Sequence, residues 1–277
     1  VILYGPPGLG KTTLASIIAN EMNAAIRYLS GPSLTRSGDV ASILTTISER
    51  DILFIDEVHR LPRVCEEILY SAMEDFALDI LIGKGPGARS VRINLPAFTL
   101  IGATTRISLL SAPLRNRFGI IEKLDFYNQN DLSAIVTRSA AVMNISIDRD
   151  ASEEIARRSR GTPRIANRIL KRVRDFAQYY GKSAIDKELV RDALECLEID
   201  DMGLNRIDRN LLKILLDHYH GGPVGINNLA MMLGEDAATV EEVYEPFLIK
   251  IGLLIRTPRG RMITPQGHQY IKGKKLI

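Results

Sequence analysis

A chain of 277 residues, 45% hydrophobic and 25% charged, has the size and composition of two or three globular domains with real cores. Its formal charge of +3, from 36 basic and 33 acidic side chains, argues neither for nor against nucleic acid, so the distribution of charge must decide. No apolar run exceeds strand length, which excludes a membrane-spanning helix, and the isolated Cys65 and Cys196 lack metal-binding spacing and read as small buried hydrophobes in a reducing cytoplasm.

The chain opens with Val1-Ile2-Leu3-Tyr4, a strand-like run without an initiator methionine, and is read as a fragment whose N-terminus is missing. Gly5-Pro6-Pro7-Gly8-Leu9-Gly10-Lys11-Thr12 follows at once and fits the phosphate-binding pattern G-x-x-x-x-G-K-[ST]. Glycines allow the turns that point consecutive N–H groups at phosphate oxygens. Lys11 is expected to reach the β- and γ-phosphates of ATP, and the Thr12 hydroxyl to ligate Mg²⁺. Leu14, Ile17, Ile18 and Met22 recur at helical spacing over Thr13–Met22, which aims a helix N-terminus at the same phosphates. Gly8, Gly10, Lys11, Thr12 and Thr13 are therefore the nucleotide-binding candidates. A chance glycine turn is the bland alternative, and the strand before and helix after speak against it.

A second apolar strand, Ile52–Ile55, ends in Asp56-Glu57, the Walker B arrangement. Asp56 is expected to hold Mg²⁺ through its water shell, and Glu57 to orient or deprotonate the attacking water. His59 has two readings of equal weight, a γ-phosphate relay or a plain helix-start histidine. Next, Leu78–Ile82 and Ser90–Leu95 flank Gly83-Lys84-Gly85-Pro86-Gly87, and the alternation of Val91, Ile93 and Leu95 marks a β-hairpin. Its tip is either a docking surface or a mere insertion. Phe98–Ala103 is a third strand, ending in Thr104-Thr105-Arg106. Ala112-Pro113-Leu114-Arg115-Asn116-Arg117 then sets two arginines after a proline expected to block helix entry. Guanidinium suits phosphoryl chemistry, being planar, always charged and forked.

A helical region follows, with helices expected over Asp131–Met143, Asp150–Ser159, Ile165–Phe176 and Lys187–Leu197. Between Arg157 and Arg174 lie eight basic residues and no acidic one, read as a solvated basic face apart from Arg164 and Arg168. Beyond a bend at Asp200–Gly203, helices at Arg206–His218, Ile226–Leu233 and from about Ala237 precede two short strands, Leu253–Arg256 and Arg261–Thr264. This is winged-helix order, and Pro246 is expected to kink or break the third helix. That helix carries Glu241, Glu242 and Glu245, whereas residues 249–277 hold seven basic side chains and no acid. The wing, through Arg256 and Arg261, is thus the expected DNA contact. It would act chiefly on phosphates, which position a protein without specifying sequence.

These elements, in this order, resemble the AAA+ superfamily. Phe54-Ile55-Asp56-Glu57-Val58-His59-Arg60-Leu61, Ala72-Met73-Glu74-Asp75-Phe76, Gly102-Ala103-Thr104-Thr105-Arg106, Leu114-Arg115-Asn116-Arg117-Phe118-Gly119 and Arg256-Thr257-Pro258-Arg259-Gly260-Arg261 resemble one family within it, the RuvB Holliday junction branch-migration ATPases. The resemblance covers essentially the whole chain. It implies an α/β P-loop AAA+ domain with a parallel sheet over residues 1–127, a small helical lid over 128–201 and a winged-helix domain over 202–277. By the same resemblance Thr105 senses the γ-phosphate, Arg117 is an arginine finger completing the neighbouring subunit's site, and Arg164 is a second sensor acting in cis. Glu74, Asp75, Phe76 and Tyr127 would line the nucleotide site, a role their spacing does not reveal. The implied partners are duplex DNA, four-way junctions, five further copies in a homohexamer, the junction-binding protein RuvA at the 78–95 hairpin, and the resolvase RuvC in a larger complex. The family also carries a segment ahead of the first strand that packs on adenine, which these 277 residues do not include.

The leading expectation is a cytoplasmic, ATP-driven motor on duplex DNA. A DNA-bound ATP switch of the replication-initiator or clamp-loader kind is the alternative, disfavoured because the wing is basic while the helix before it is acidic. A P-loop metabolic kinase leaves Arg117 and the C-terminal domain without a purpose.

Overall fold

The computed structural model describes residues 1–82 and 89–273; the glycine-rich hairpin tip expected at 83–87 lies outside them. The chain forms two compact units, one of Val1–Gly5 with Gly10–Asp125, the other of Pro6–Leu9 with Phe126–Ile277.

In the first unit the elements run β1 (Ile2–Tyr4), α1 (Lys11–Glu21), β2 (Ile26–Ser30), α2 (Ser37–Leu44), β3 (Ile52–Asp56), α3 (Arg63–Glu74), β4 (Ala77–Ile82), β5 (Arg89–Asn94), β6 (Thr99–Thr104), α4 (Ala112–Arg117) and β7 (Ile121–Lys123). Five strands form a parallel sheet in the order β2-β3-β6-β1-β7. Helices cover both faces of such sheets, which is why the strands read as continuous apolar runs. On β3, Leu53 and Ile55 pack with Leu44, Cys65, Leu69 and Leu114, while Ile52 and Phe54 face Ala15 and Ala19 of α1. Each such burial contributes roughly 1.5–3 kcal/mol. Because the three central strands β3, β6 and β1 are parallel neighbours, the chain leaves all of them at the same C-terminal end of the sheet, with Tyr4 in register with Thr104. The hairpin at 78–95 is present as antiparallel β4–β5, pairing Leu78 with Ile93 and Ile80 with Val91.

One expectation fails here. Pro113 does not block a helix but sits in the first turn of α4, where a missing N–H costs nothing, and Ser111 caps that helix by accepting from the Leu114 N–H at 3.3 Å.

The second unit contains α5 (Gln129–Val142), β8 (Ser146–Ile147), α6 (Arg149–Arg157), α7 (Pro163–Tyr179), β9 (Ala184–Ile185) and α8 (Lys187–Cys196), packed around Leu132, Val136, Ile155, Leu170 and Leu189. The two-residue strands β8 and β9 are too short to leave a periodic signal. Cys65 is buried as expected, but Cys196 is exposed, because Leu189, Val190, Ala193 and Leu194 take the inner face of α8. The winged helix follows as α9 (Arg206–Asp217), α10 (Ile226–Leu233), α11 (Ala237–Thr239), α12 (Glu245–Lys250), β10 (Leu254–Thr257), β11 (Gly260–Ile263) and α13 (Pro265–Gly273), around a core of its own. Pro246 does not break the third helix. A π-helical turn over Val240–Tyr244 joins α11 to α12, a local widening that accommodates a residue with no N–H to give.

The solvated basic face expected over Arg157–Arg174 holds for the exposed Arg157, Lys171 and Arg172 but not for two others. Arg158 is buried between Glu154 (2.7 Å) and Asp201 (2.8 Å), and Arg160 is buried on Asp208, because burying a guanidinium requires a carboxylate partner. Among the described residues no helix is long and apolar enough to cross a membrane.

Candidate active site

In the first unit, the turn after β1 ends at Gly10, whose left-handed backbone (φ 93°) starts α1. Lys11 is the first helical residue and is buried, with Nζ donating to the Gly5 carbonyl at 2.9 Å. Desolvation holds its ammonium below the usual lysine range, and the charges of Glu57 and Asp56 pull it partly back. Thr12 and Thr13 stand exposed in the first turn of the same helix. Asp56 ends β3, and its Oδ1 accepts the Glu57 N–H at 3.0 Å. Glu57 itself lies at φ 50°, a left-handed conformation that costs a non-glycine residue about 1 kcal/mol and that recurs at functional sites. Thr12 hydroxyl and Asp56 carboxylate are hard oxygen donors, the set that Mg²⁺ takes alongside phosphate and water.

His59 lies on a 3₁₀ turn over Val58–Arg60, its side chain 8% exposed. Its Nδ1 is 2.8 Å from Thr104 Oγ1 and 3.3 Å from Glu57 Oε2. The Nδ1–Thr104 contact is a hydrogen bond in which either atom can donate, and Glu57 Oε2 lies within ion-pair distance of the same nitrogen. Thr104 Oγ1 also accepts the Arg106 N–H at 2.9 Å. Thr105, the expected γ-phosphate sensor, is half-buried next door, and Thr104 is a second threonine at this strand end whose hydroxyl contacts His59.

Arg117, the last residue of α4, meets the end of α3. Its Nη2 donates to Glu74 Oε2 at 3.3 Å, and Nε lies 3.0 Å from Oε1 as a charge contact without hydrogen-bond alignment. Nη1 donates to the Pro113 carbonyl at 3.0 Å, and the guanidinium carbon stands 4.3 Å over the Tyr70 ring. Asp75 pairs with Arg92 at 2.9 Å, and Phe76, largely exposed, packs edge-on to Phe98.

In the second unit, the Pro6–Leu9 turn is held by lid residues. Arg164 N–H donates to the Gly8 carbonyl at 3.3 Å, and the Tyr127 hydroxyl to the Leu9 carbonyl at 3.3 Å. Gly8 (φ 82°) must be glycine twice over, since a Cβ there would stand 2.9 Å from Arg164 Cβ and from Thr162 Cγ2. A cleft of about 420 Å³ opens beside this turn, lined among others by Pro6, Pro7, Arg164, Arg168, Tyr244 and Phe247. Arg164 and Tyr127 are thus both tied to the phosphate loop, a link that no local pattern in the lid reveals.

The wing departs from its expected electrostatics. Arg256 and Arg261 face each other across β10–β11 and both pair with Glu245, at 2.6 Å from Arg256 Nη2 and 2.6 Å from Arg261 Nε. Glu241 Oε1 lies 3.2 Å from Arg256 Nη1. Acids and bases that the sequence separates are neutralised on one another, because the wing strands fold back onto the helix before them. Arg259, at the strand turn, is exposed.

Residues 1–124 match the family described as the Holliday junction DNA helicase RuvB P-loop domain, residues 127–200 the RuvB AAA lid domain, and residues 201–272 the RuvB C-terminal winged helix domain. The chain is 57% identical over 272 residues to the Holliday junction branch migration complex subunit RuvB of Fusobacterium nucleatum, covering 98% of this chain and 82% of that protein. The structure described as the Thermotoga maritima RuvB Holliday junction branch migration motor is similar at 50% identity and a TM-score of 0.89, over 98% of this chain and 86% of that one. A point variant of the same Thermotoga protein matches with a TM-score of 0.90, over 98% and 87%.

Proposed function

The chain belongs to the RuvB family, and on that premise we propose how its residues work as an ATP-driven motor of Holliday junction branch migration. It binds nucleotide through its P-loop and hydrolyses ATP to move DNA. Gly8, Gly10, Lys11, Thr12 and Thr13 cradle the phosphates. Thr12 and Asp56 would hold Mg²⁺, which supplies charge neutralisation at the β- and γ-oxygens when bound. Glu57 takes a proton from water as the water oxygen bonds to the γ-phosphorus, and the bond to the bridging oxygen breaks with its electrons leaving on ADP. Thr105 and Arg164 sense the γ-phosphate, while Glu74, Asp75, Phe76 and Tyr127 line the nucleotide. Arg117 stabilises the charge developing in the adjacent subunit's site.

The working assembly is a homohexamer around duplex DNA at a four-way junction, acting in the cytoplasm. RuvA docks on the 78–95 hairpin, and RuvC joins in a larger complex. The domains divide at 127 and 201. The observation that carries this reading is the convergence of Lys11, Asp56 and Glu57 at the C-terminal end of one parallel sheet, with the lysine charge opposed by both acids. The test is migration of a synthetic four-way junction by full-length protein with RuvA. Glu57→Gln should bind ATP normally, yet turn over and migrate at least 100-fold more slowly, the low end of a general base's contribution. Turnover near wild type would remove Glu57 from the mechanism.

A further inference from the structure

We infer that Tyr70 is a positioning residue for Arg117, holding the guanidinium plane ready for a neighbouring subunit's phosphate; this rests on the reading of Arg117 as a finger acting in trans. Three observations in the first unit carry it. The Arg117 guanidinium carbon lies 4.3 Å over the Tyr70 ring, so one face of the fork is covered while its N–H edges point away from the ring, to Glu74 and the Pro113 carbonyl. The Tyr70 hydroxyl donates to Glu66 Oε2 at 2.9 Å, and the Ser111 hydroxyl donates to the same oxygen at 2.6 Å. Ser111 is in turn the cap of α4, the helix that ends in Arg117. A single buried carboxylate, Glu66, therefore ties the helix carrying the platform to the start of the helix carrying the arginine.

Glu74 and Tyr70 differ in what they can do for Arg117. Glu74 is more than half exposed, and an ion pair in water is weak and easily exchanged. Incoming phosphoryl oxygens can replace its carboxylate on the same N–H groups. Tyr70 offers no competing acceptor to those groups, and its hydroxyl is fixed from behind. Arginine has one of the most mobile side chains, so a platform that removes rotamers before the transition state raises the rate without tightening ground-state binding.

The test uses full-length protein in assembled rings, with thermal unfolding and ring assembly checked for each variant. Tyr70→Leu should lower kcat about tenfold, with KM for ATP within about twofold, while Tyr70→Phe, which keeps the ring, should stay within about threefold of wild type. Mixing Tyr70→Leu with Lys11→Ala subunits should raise the turnover per Tyr70→Leu subunit above its value alone, because the first retains a sound P-loop and the second a sound finger. Wild-type kcat in Tyr70→Leu, alongside a large loss in Arg117→Ala, would overturn the role of Tyr70 and leave the finger intact. Equal losses in the Phe and Leu variants would also overturn it, since the ring would then not be acting. Wild-type kcat in Arg117→Ala would instead overturn the finger itself. Should Tyr70→Leu fail to fold, the Tyr70→Phe value decides alone, a loss beyond about threefold counting against the platform.

Discussion

Glu245 Oε1 accepts a hydrogen bond from Arg261 Nε at 2.6 Å while the acid is wholly buried beneath the wing. Arg261 is itself only 12% exposed, so its charge is committed to the fold before any DNA arrives. Arg256, 47% exposed, is half committed in the same way. The surface expected to meet phosphate is therefore that of the wing residues left over, with the exposed Arg259 foremost.

Arg259→Ala should weaken binding to all duplex sequences about equally and flatten the log–log salt dependence by roughly 0.9, the value for one phosphate contact. Arg261→Ala should behave differently, because it strips the buried Glu245 of one of its two arginine partners and leaves only the half-exposed Arg256. Losing that charge-assisted hydrogen bond is expected to destabilise the protein by about 2 kcal/mol. Salt titrations on two unrelated duplexes, paired with urea unfolding of each variant, separate the two effects. An Arg261→Ala protein as stable as wild type would put Arg261 back among the direct DNA contacts.

His59→Ala removes the imidazole nitrogen that lies within contact of both Glu57 and Thr104. With the carboxylate no longer steered, kcat should fall about tenfold, which is ~1.4 kcal/mol of barrier, and KM for ATP should barely move. Steady-state ATPase assays with saturating duplex DNA would show this. A raised KM with unchanged kcat would mean that His59 serves nucleotide binding instead.

Within the second unit, Asp208 pairs with Arg160 and also accepts the Asn205 N–H at 2.9 Å, so it joins the lid to the start of the winged helix. Asp208→Ala leaves a buried guanidinium unpaired and should cost about 3–5 kcal/mol. Urea denaturation would reveal the loss as a lower midpoint. Unfolding at an unchanged midpoint would mean that water compensates Arg160 where the carboxylate stood.

Gly8→Ala forces a left-handed backbone on alanine and sets its Cβ against Arg164 and Thr162. Strain of about 1–3 kcal/mol is expected, relieved by shifting the phosphate loop. ATP affinity, read by calorimetry on full-length protein, should fall by at least about tenfold. Affinity equal to wild type would show that the loop tolerates the shift.

The phosphate loop, the Walker B acids, the parallel sheet and the winged-helix order were all legible along the chain, for a physical reason. Phosphate is bound by consecutive backbone N–H groups, metal and water by adjacent acids at a strand end, and a doubly covered strand must be continuously apolar; each requirement is local, so each leaves a contiguous mark. The contact of Thr104 with His59, the platform under Arg117, the tie from Tyr127 to Leu9 and the neutralisation of Arg256 and Arg261 by Glu245 left none. Those depend on which side chains packing and strand register bring within about 3–4 Å, and residues far apart in the chain carry no record of their neighbours. Charge shows the limit best. The sign of every side chain was known from composition, but whether a charge faces water, a partner acid or DNA is a matter of burial, and only the tertiary structure decides that.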